Sequence, residues 1–332
     1  MISYLSNILK LPSLYFTLMD NLKVQRKYMR TTLYRDVDES RKSSDSSLSE
    51  KDYIKINKYY GLAVPAVLGE SFASLRANKL ALNERKTLTY LGALTGLYDD
   101  FFDKTDFSHD HIIGLTEHKN VEVSTDHERL FLKFFNIAME SAKHPSQIRN
   151  FIHNVFNAQV ASKKQVGKNI SKEEIMSITQ QKGGYSLLFY RGGMNIPMNE
   201  DEKTFLYKIG GLLQLENDIF DIYKDNVDSI RTLATIEIHM ENLRNTYIKL
   251  TEEVIDAVLY SNFPIKNKQQ FLRIISMVVC RGYVCLDMLQ KNELKTDNKF
   301  QIEKYQRNEL ICDMEKPINF LKSVHYYSKT RF

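Results

Sequence analysis

Helix breakers are scarce in this chain. Its 332 residues include only 13 Gly and 6 Pro, and these are the residues that most weaken a helix and punctuate β structure. No stretch shows the apolar–polar alternation of a strand, and no short internal repeat is present. Apolar residues recur at helical spacing through Leu88, Leu91, Leu94 and Leu97, and again through Leu130, Phe131, Phe134 and Phe135. The expectation is an all-α protein. No apolar run approaches the roughly 18 residues of a membrane span. Cys280, Cys285 and Cys312 are odd in number and lack zinc-type spacing, so they read as reduced core residues of a cytosolic protein.

The net charge of +5 is small for a nucleic-acid binder, and it is concentrated. Residues 21–42 hold seven basic side chains (Lys23, Arg26, Lys27, Arg30, Arg35, Arg41 and Lys42) against Asp36, Asp38 and Glu39. No nucleic-acid partner is expected. Residues 1–38 read as an N-terminal amphipathic and basic arm. Either a helix packed on the chain's own core or a peripheral membrane contact through residues 2–42 fits, and the first is favoured. A secretory signal is not expected, because no basic residue precedes the apolar part and no small-residue cleavage site follows it. Residues 39–52 form a polar, Ser-rich linker, and residues 53–332 a single α-helical domain. Within that domain Pro65 lies near a helix start and Asn83 caps a helix over about 84–103. Residues 104–126 read as a mobile loop, with His109, His111 and His118 at no common metal-ligand spacing. Ser171 and Glu174 form a capping box.

Three stretches carry chemistry. In Leu91–Asp103, LGALTGLYDDFFD, an apolar helical run ends in Asp99, Asp100 and Asp103. Helical rotation of about 100° per residue puts all three in one sector. Clustered carboxylates repel one another unless a cation holds them, and their hard oxygens suit Mg²⁺; a solvated helix end is the plainer reading. In Gly210–Asp225, GGLLQLENDIFDIYKD, Asn217, Asp218, Asp221 and Asp225 again share a sector, with Lys224 and Arg231 close in sequence. Between these stretches, QKGGYSLLFYRGGM places Lys182 and Arg191 beside the doublets Gly183/Gly184 and Gly192/Gly193. The doublets suggest a kink or the close approach of a ligand to backbone. Two acidic sectors with cations between them can cage Mg²⁺ and a diphosphate. The chemistry needing such a cage is ionisation of an allylic diphosphate.

These residues resemble the class I isoprenoid (terpenoid) synthase superfamily. Asp99-Asp100-Phe101-Phe102-Asp103 matches its DDxxD motif. Gly210, Gln214, Asn217, Asp218 and Asp221 resemble the G-x-x-F-Q-x-x-D-D-x-x-D signature of chain-elongating prenyltransferases, with Leu213 for Phe and Asn217 for the first Asp. Asn217, Asp221 and Asp225 hold the places of the terpene-cyclase N-D-x-x-S/T-x-x-x-E triad, with Asp221 for the hydroxyl residue and Asp225 for Glu. Lys182 with Gly184 resembles the prenyltransferase K-T-G. The resemblance covers about residues 55–320 and extends to the large-terpene synthases of bacteria.

It implies an isoprenoid-synthase helical bundle around a central active-site cavity. Asp99, Asp100, Asp103, Asn217, Asp218, Asp221 and Asp225 would be the metal ligands and, Asp218 aside, the catalytic group. They would bind Mg²⁺, three ions in all, with Mn²⁺ as a substitute. Lys182, Arg191, Lys224 and Arg231 would contact the diphosphate. Leu94, Thr95 and Phe220 would line the prenyl pocket, with Gly92 and Gly96 leaving room for a long chain; core packing is the plainer reading of each apolar residue. The basic residues that bind isopentenyl diphosphate in elongating enzymes are missing from YYGLAVPAVLGESFASL, and Lys104 alone follows Asp103. A terpene synthase using one allylic prenyl diphosphate is therefore expected, cytoplasmic and with membrane association left open. The alternatives are a trans-prenyltransferase and a non-catalytic isoprenoid-binding relative. A homodimer also stays open.

Overall fold

A computed structural model describes residues 2–42, 45–103, 107–117, 121–167 and 170–332, with only the backbone described for residues 2–5. The described residues form helices and no strand beyond one isolated bridge between Val166 and Ile230. In chain order the helices are α1 (Ile2–Arg30), α2 (Leu33–Lys42), α3 (Glu50–Ile54), α4 (Gly61–Ala63), α5 (Glu70–Leu75) and α6 (Leu82–Asp103). There follow α7 (His109–Glu117), α8 (Asp126–Ser141), α9 (Pro145–Ser162), α10 (Lys172–Arg191), α11 (Glu200–Phe220) and α12 (Ile222–Val227). The last are α13 (Leu233–Ile236), α14 (Met240–Tyr260), α15 (Ile265–Glu293), α16 (Arg307–Leu310) and α17 (Pro317–Lys329). Two π-helical turns, Lys55–Tyr60 and Val64–Gly69, flank α4. The scarcity of breakers thus translates into helices of up to 29 residues.

The chain divides into two compact units. One comprises residues 13–159 and 188–199, the other residues 1–12, 160–187 and 200–332. The division follows neither the 38/39 nor the 52/53 boundary expected from composition.

In the unit of residues 13–159, α6 is the central element and is buried almost throughout. It packs along α8, where Tyr98 stacks on Phe131 with ring centroids 5.5 Å apart. Its other side takes the π-helical turn Lys55–Tyr60, an approach that only glycine permits. A Cβ on Gly92 would stand 2.5 Å from the Tyr60 carbonyl oxygen. The space at Gly92 therefore holds protein backbone, not the room expected for a substrate chain, whereas a Cβ at Gly96 would meet Lys55 and Tyr60 at an ordinary contact of 3.7 Å.

The later part of α1 joins the same core. Gln25 is fully buried and donates to the Gly61 carbonyl at 3.0 Å and to Thr89 Oγ1 at 2.8 Å, while Arg85 donates to its Oε1 at 3.0 Å. Met29, Leu33 and Val37 are also buried. Leu9, Tyr15 and Phe16 remain exposed. Among the described residues no helix is long and apolar enough to cross a membrane.

Three local expectations change. Part of the stretch read as a mobile loop forms α7; His118 and Lys104 lie outside the described residues. The Ser-rich stretch is bounded by α2 and α3, and its middle is anchored: the Asp45 and Asp126 backbone N–H groups each donate to the other's carboxylate, at 2.6 and 2.8 Å. The His127 N–H donates to Ser47 Oγ at 3.0 Å. Asn83 is not the cap of α6, which starts at Leu82. Glu84 instead accepts from the Ala81 N–H at 2.8 Å, and the Asn83 amide pairs with that of Asn195.

In the unit of residues 200–332, α11 packs on α14 and α15, and α15 on α17. The lower part of α10 crosses α11 backbone to backbone, since a Cβ on Gly183 would fall 2.0 Å from the Gly210 carbonyl oxygen. Helix α10 runs unbroken through the first glycine doublet, so neither the kink nor the ligand expected there is needed to explain it. The Ser171 cap is present, with Oγ accepting from the Glu174 N–H at 3.1 Å. All three cysteines are free thiols in buried positions.

Candidate active site

The first carboxylate stretch ends α6. Phe101 and Phe102 turn into the aromatic core, where Phe101 stacks on His127 with centroids 4.5 Å apart. This fixes the rotation of the helix end and separates the three acids. Asp99 is half-buried and accepts from Gln159 Nε2 at 2.5 Å. Asp100 is buried, with the Lys55 ammonium 3.9 Å from its Oδ1, and Asp103 is exposed. One turn back, Thr95 Oγ1 donates to the Leu91 carbonyl at 2.9 Å and lies 2.7 Å from the Tyr190 hydroxyl. Burial raises the Tyr190 phenol above its ordinary range, and Tyr60 and Asp99 push it the same way against the Thr95 hydrogen bond. Leu94 is a core residue at 1% exposure.

The second stretch straddles the end of α11. The helix breaks at Asp221, yet its hydrogen bonding continues: the Asp221 N–H donates to the Asn217 carbonyl and the Asp225 N–H to the Asp221 carbonyl, both at 2.8 Å. Asn217 is exposed and its amide donates to Asp221 Oδ2 at 3.1 Å. Asp218 is buried between Thr179 Oγ1 at 3.2 Å and Gln214 Nε2 at 2.8 Å. Burial pushes its carboxyl up to about 6, with Asp221 adding repulsion against the relief given by Gln214, Lys182 and Thr179. Asp225 rises to about 7 through burial and then through Asp218 and Asp221, opposed by Lys224 and Lys182. Three carboxylates and the Lys182 ammonium therefore form one electrostatic group in this unit.

The other expected residues separate. Lys224 is exposed. Arg231 follows the bridge of Ile230 to Val166; its backbone N–H donates to the Gln165 carbonyl at 2.9 Å, and its Nε has no hydrogen-bond partner among the described residues. Phe220 lies under the Arg281 guanidinium, 5.6 Å from ring centroid to Cζ. Arg191 belongs to the unit of residues 13–159, where it is 1% exposed and lines a cavity of about 220 Å³ with Arg76, Lys79 and Glu84. His111 pairs with Glu128 at 2.6 Å.

Sequence reasoning missed Lys55, Gln159, Thr179 and Tyr190. Each meets its partner through a tertiary contact between separate elements, and no spacing rule signals that. Among the described residues no three His, Cys, Asp or Glu side chains gather closely enough to hold a metal as they stand. The donor types of the second stretch, carboxylate and amide oxygens carrying excess negative charge, suit a hard divalent ion.

No family model matches the chain, and no curated protein matches it. Among solved structures it is similar to a dehydrosqualene synthase in complex with ligand. The two are 12% identical over 96% of this chain and 100% of that one, with a TM-score of 0.45.

Proposed function

We propose that the chain is a Mg²⁺-dependent class I terpene synthase with the isoprenoid-synthase fold. It would ionise one allylic prenyl diphosphate and release diphosphate with cyclisation or elimination. The observation that carries this reading is the group of Asp218, Asp221 and Asp225 with Lys182, set where the motif pattern expects a metal and diphosphate site. Buried carboxylates that push one another toward protonation form a site that a cation relieves. Asn217, Asp221 and Asp225, with Asp218 alongside, would hold metal, as would Asp99, Asp100 and Asp103. When bound, Mg²⁺ supplies Lewis-acid charge for the departing diphosphate. Lys182, as a point cation next to the carboxylates, would orient the diphosphate oxygens, with Lys224, Arg231 and Arg191 as the further basic candidates. Thr95 and Phe220 remain the proposed prenyl contacts, with Leu94, at 1% exposure, packed as core.

One observation favours a second reading, the elongating prenyltransferase. Few basic residues surround the first stretch, as an elongating enzyme would need, but Lys55 supplies one there. A single experiment separates the two. Purified protein is given Mg²⁺ and allylic diphosphates of increasing chain length, with and without isopentenyl diphosphate. Hydrocarbon or alcohol formed without the second substrate supports the synthase. Longer diphosphates formed only in its presence replace the synthase with the transferase, and no turnover of any donor by folded, diphosphate-binding protein leaves the isoprenoid-binding relative.

A further inference from the structure

Within the unit of residues 13–159, helix α1 is packed on one side only. Leu14, Gln25 and Met29 are buried there. Counting about 100° per residue, Phe16 lies roughly 140–180° round the helix from each of them. It is 66% exposed. Lys23, Lys27 and Arg30, all exposed, follow it on the same stripe within about 40°. Beside this stripe Tyr15 is 54% and Val24 52% exposed, and the exposed Arg26 lies about 20° round from Tyr15. Tyr15 and Phe16 meet edge to face, with ring centroids 6.1 Å apart. Lys23, Arg26, Lys27 and Arg30 form no ion pair among the described residues, and Asp20 is the only acid in residues 13–30. One helix face thus offers water two aromatic rings and four uncompensated cations.

A second copy of this face would be repelled by its like charge. Nucleic acid would meet the cations but would leave Val24 without an apolar partner. A bilayer with anionic headgroups satisfies both kinds of side chain. Aromatic and apolar groups enter the boundary between headgroups and acyl chains, and Lys and Arg meet the negative surface. We propose that the exposed face of α1 from Tyr15 to Arg30 docks the protein on an anionic lipid surface. The helix lies along that surface, since among the described residues no helix is long and apolar enough to cross a membrane. No step of the chemistry proposed above is needed for this.

The test is co-sedimentation of the full chain with phosphatidylcholine vesicles prepared with and without phosphatidylserine, with thermal melts confirming the fold of each variant. The unmodified chain should bind the anionic vesicles, and added salt should release it. K23Q together with K27Q should weaken binding about ten- to thirty-fold, from about five-fold per cation near a charged surface. F16S should weaken it about ten-fold through lost apolar burial. K249Q together with K266Q removes the same charge from exposed positions on α14 and α15 and should stay within about two-fold. Equal binding to neutral and anionic vesicles overturns the proposal, as does no binding to either. So does an F16S variant that binds unchanged, or a loss in the α14 and α15 control equal to that of K23Q with K27Q. Binding to single-stranded RNA but not to vesicles, lost in K23Q with K27Q, would assign the face to nucleic acid instead.

Discussion

Gly183 and Gly210 hold α10 and α11 at backbone contact: a Cβ on Gly210 would fall 2.2 Å from the Gly183 carbonyl oxygen, and the reverse distance is 2.0 Å. Nothing there can yield, because the neighbour is backbone. G183A should therefore force the helices apart and cost about 1–3 kcal/mol or more, the usual range for overpacking. Urea denaturation of the variant checks this. Thr179 and Lys182 ride on α10 opposite Asp218, so the same change should also weaken Mn²⁺ binding; unchanged stability would show that α10 and α11 are not in backbone contact.

Stability of the metal-free protein should fall with rising pH between about 4 and 7. Asp218 and Asp225 have folded-state values raised to about 6 and about 7 from 3.8. A raised carboxyl favours the folded state while it is protonated, and that contribution is lost as pH climbs through the folded value. The fall should be on the order of 2 kcal/mol after allowance for coupling between the two groups. Glu216, buried against Arg281 and raised to about 7 by that burial, adds to it with the same sign. Denaturant midpoints across this pH range measure the effect, and D218N should flatten the slope. Saturating Mg²⁺ should remove most of it.

D100N should abolish turnover of an allylic diphosphate while leaving stability within about 1 kcal/mol. The ammonium it orphans belongs to a half-exposed lysine, which water can serve. Product formation and a thermal melt on one sample check both halves. Turnover that survives would remove Asp100 from the metal ligands.

Leu94 distinguishes pocket wall from core. At 1% exposure beside Ala93 and Leu97 it packs as core, so L94A should cost about 2–5 kcal/mol. A loss below about 1 kcal/mol together with a shift in preferred donor length would restore it to the prenyl pocket. Denaturation and product chain length are the two measurements.

The helical architecture could be read directly from composition and period, because a 3.6-residue apolar repeat uninterrupted by Gly or Pro has few other outcomes. The cap at Ser171 was equally readable, since its chemistry is local. The rotation of each carboxylate was not. Asp99, Asp100 and Asp103 share a sector on a helical wheel, but Phe101 and Phe102 claim the core side and leave the three acids with different partners and exposures. The glycine doublet at Gly183 signalled a close approach correctly in kind and wrongly in partner. Sequence spacing shows where a side chain is missing, and what fills the gap is decided by whichever helix arrives.

The start of α8 depends on residues far away in the chain. Asp45 and Ser47 receive the backbone N–H groups of Asp126 and His127 across a sequence separation of 80 or more residues. Folding must close that loop before the first turn of α8 has all its donors satisfied, and loop closure is paid in entropy before any contact repays it. Helix α8 carries Phe131, Phe134 and Phe135 into the core. A single proteolytic nick in the Ser-rich segment would therefore loosen an aromatic helix that it does not cut.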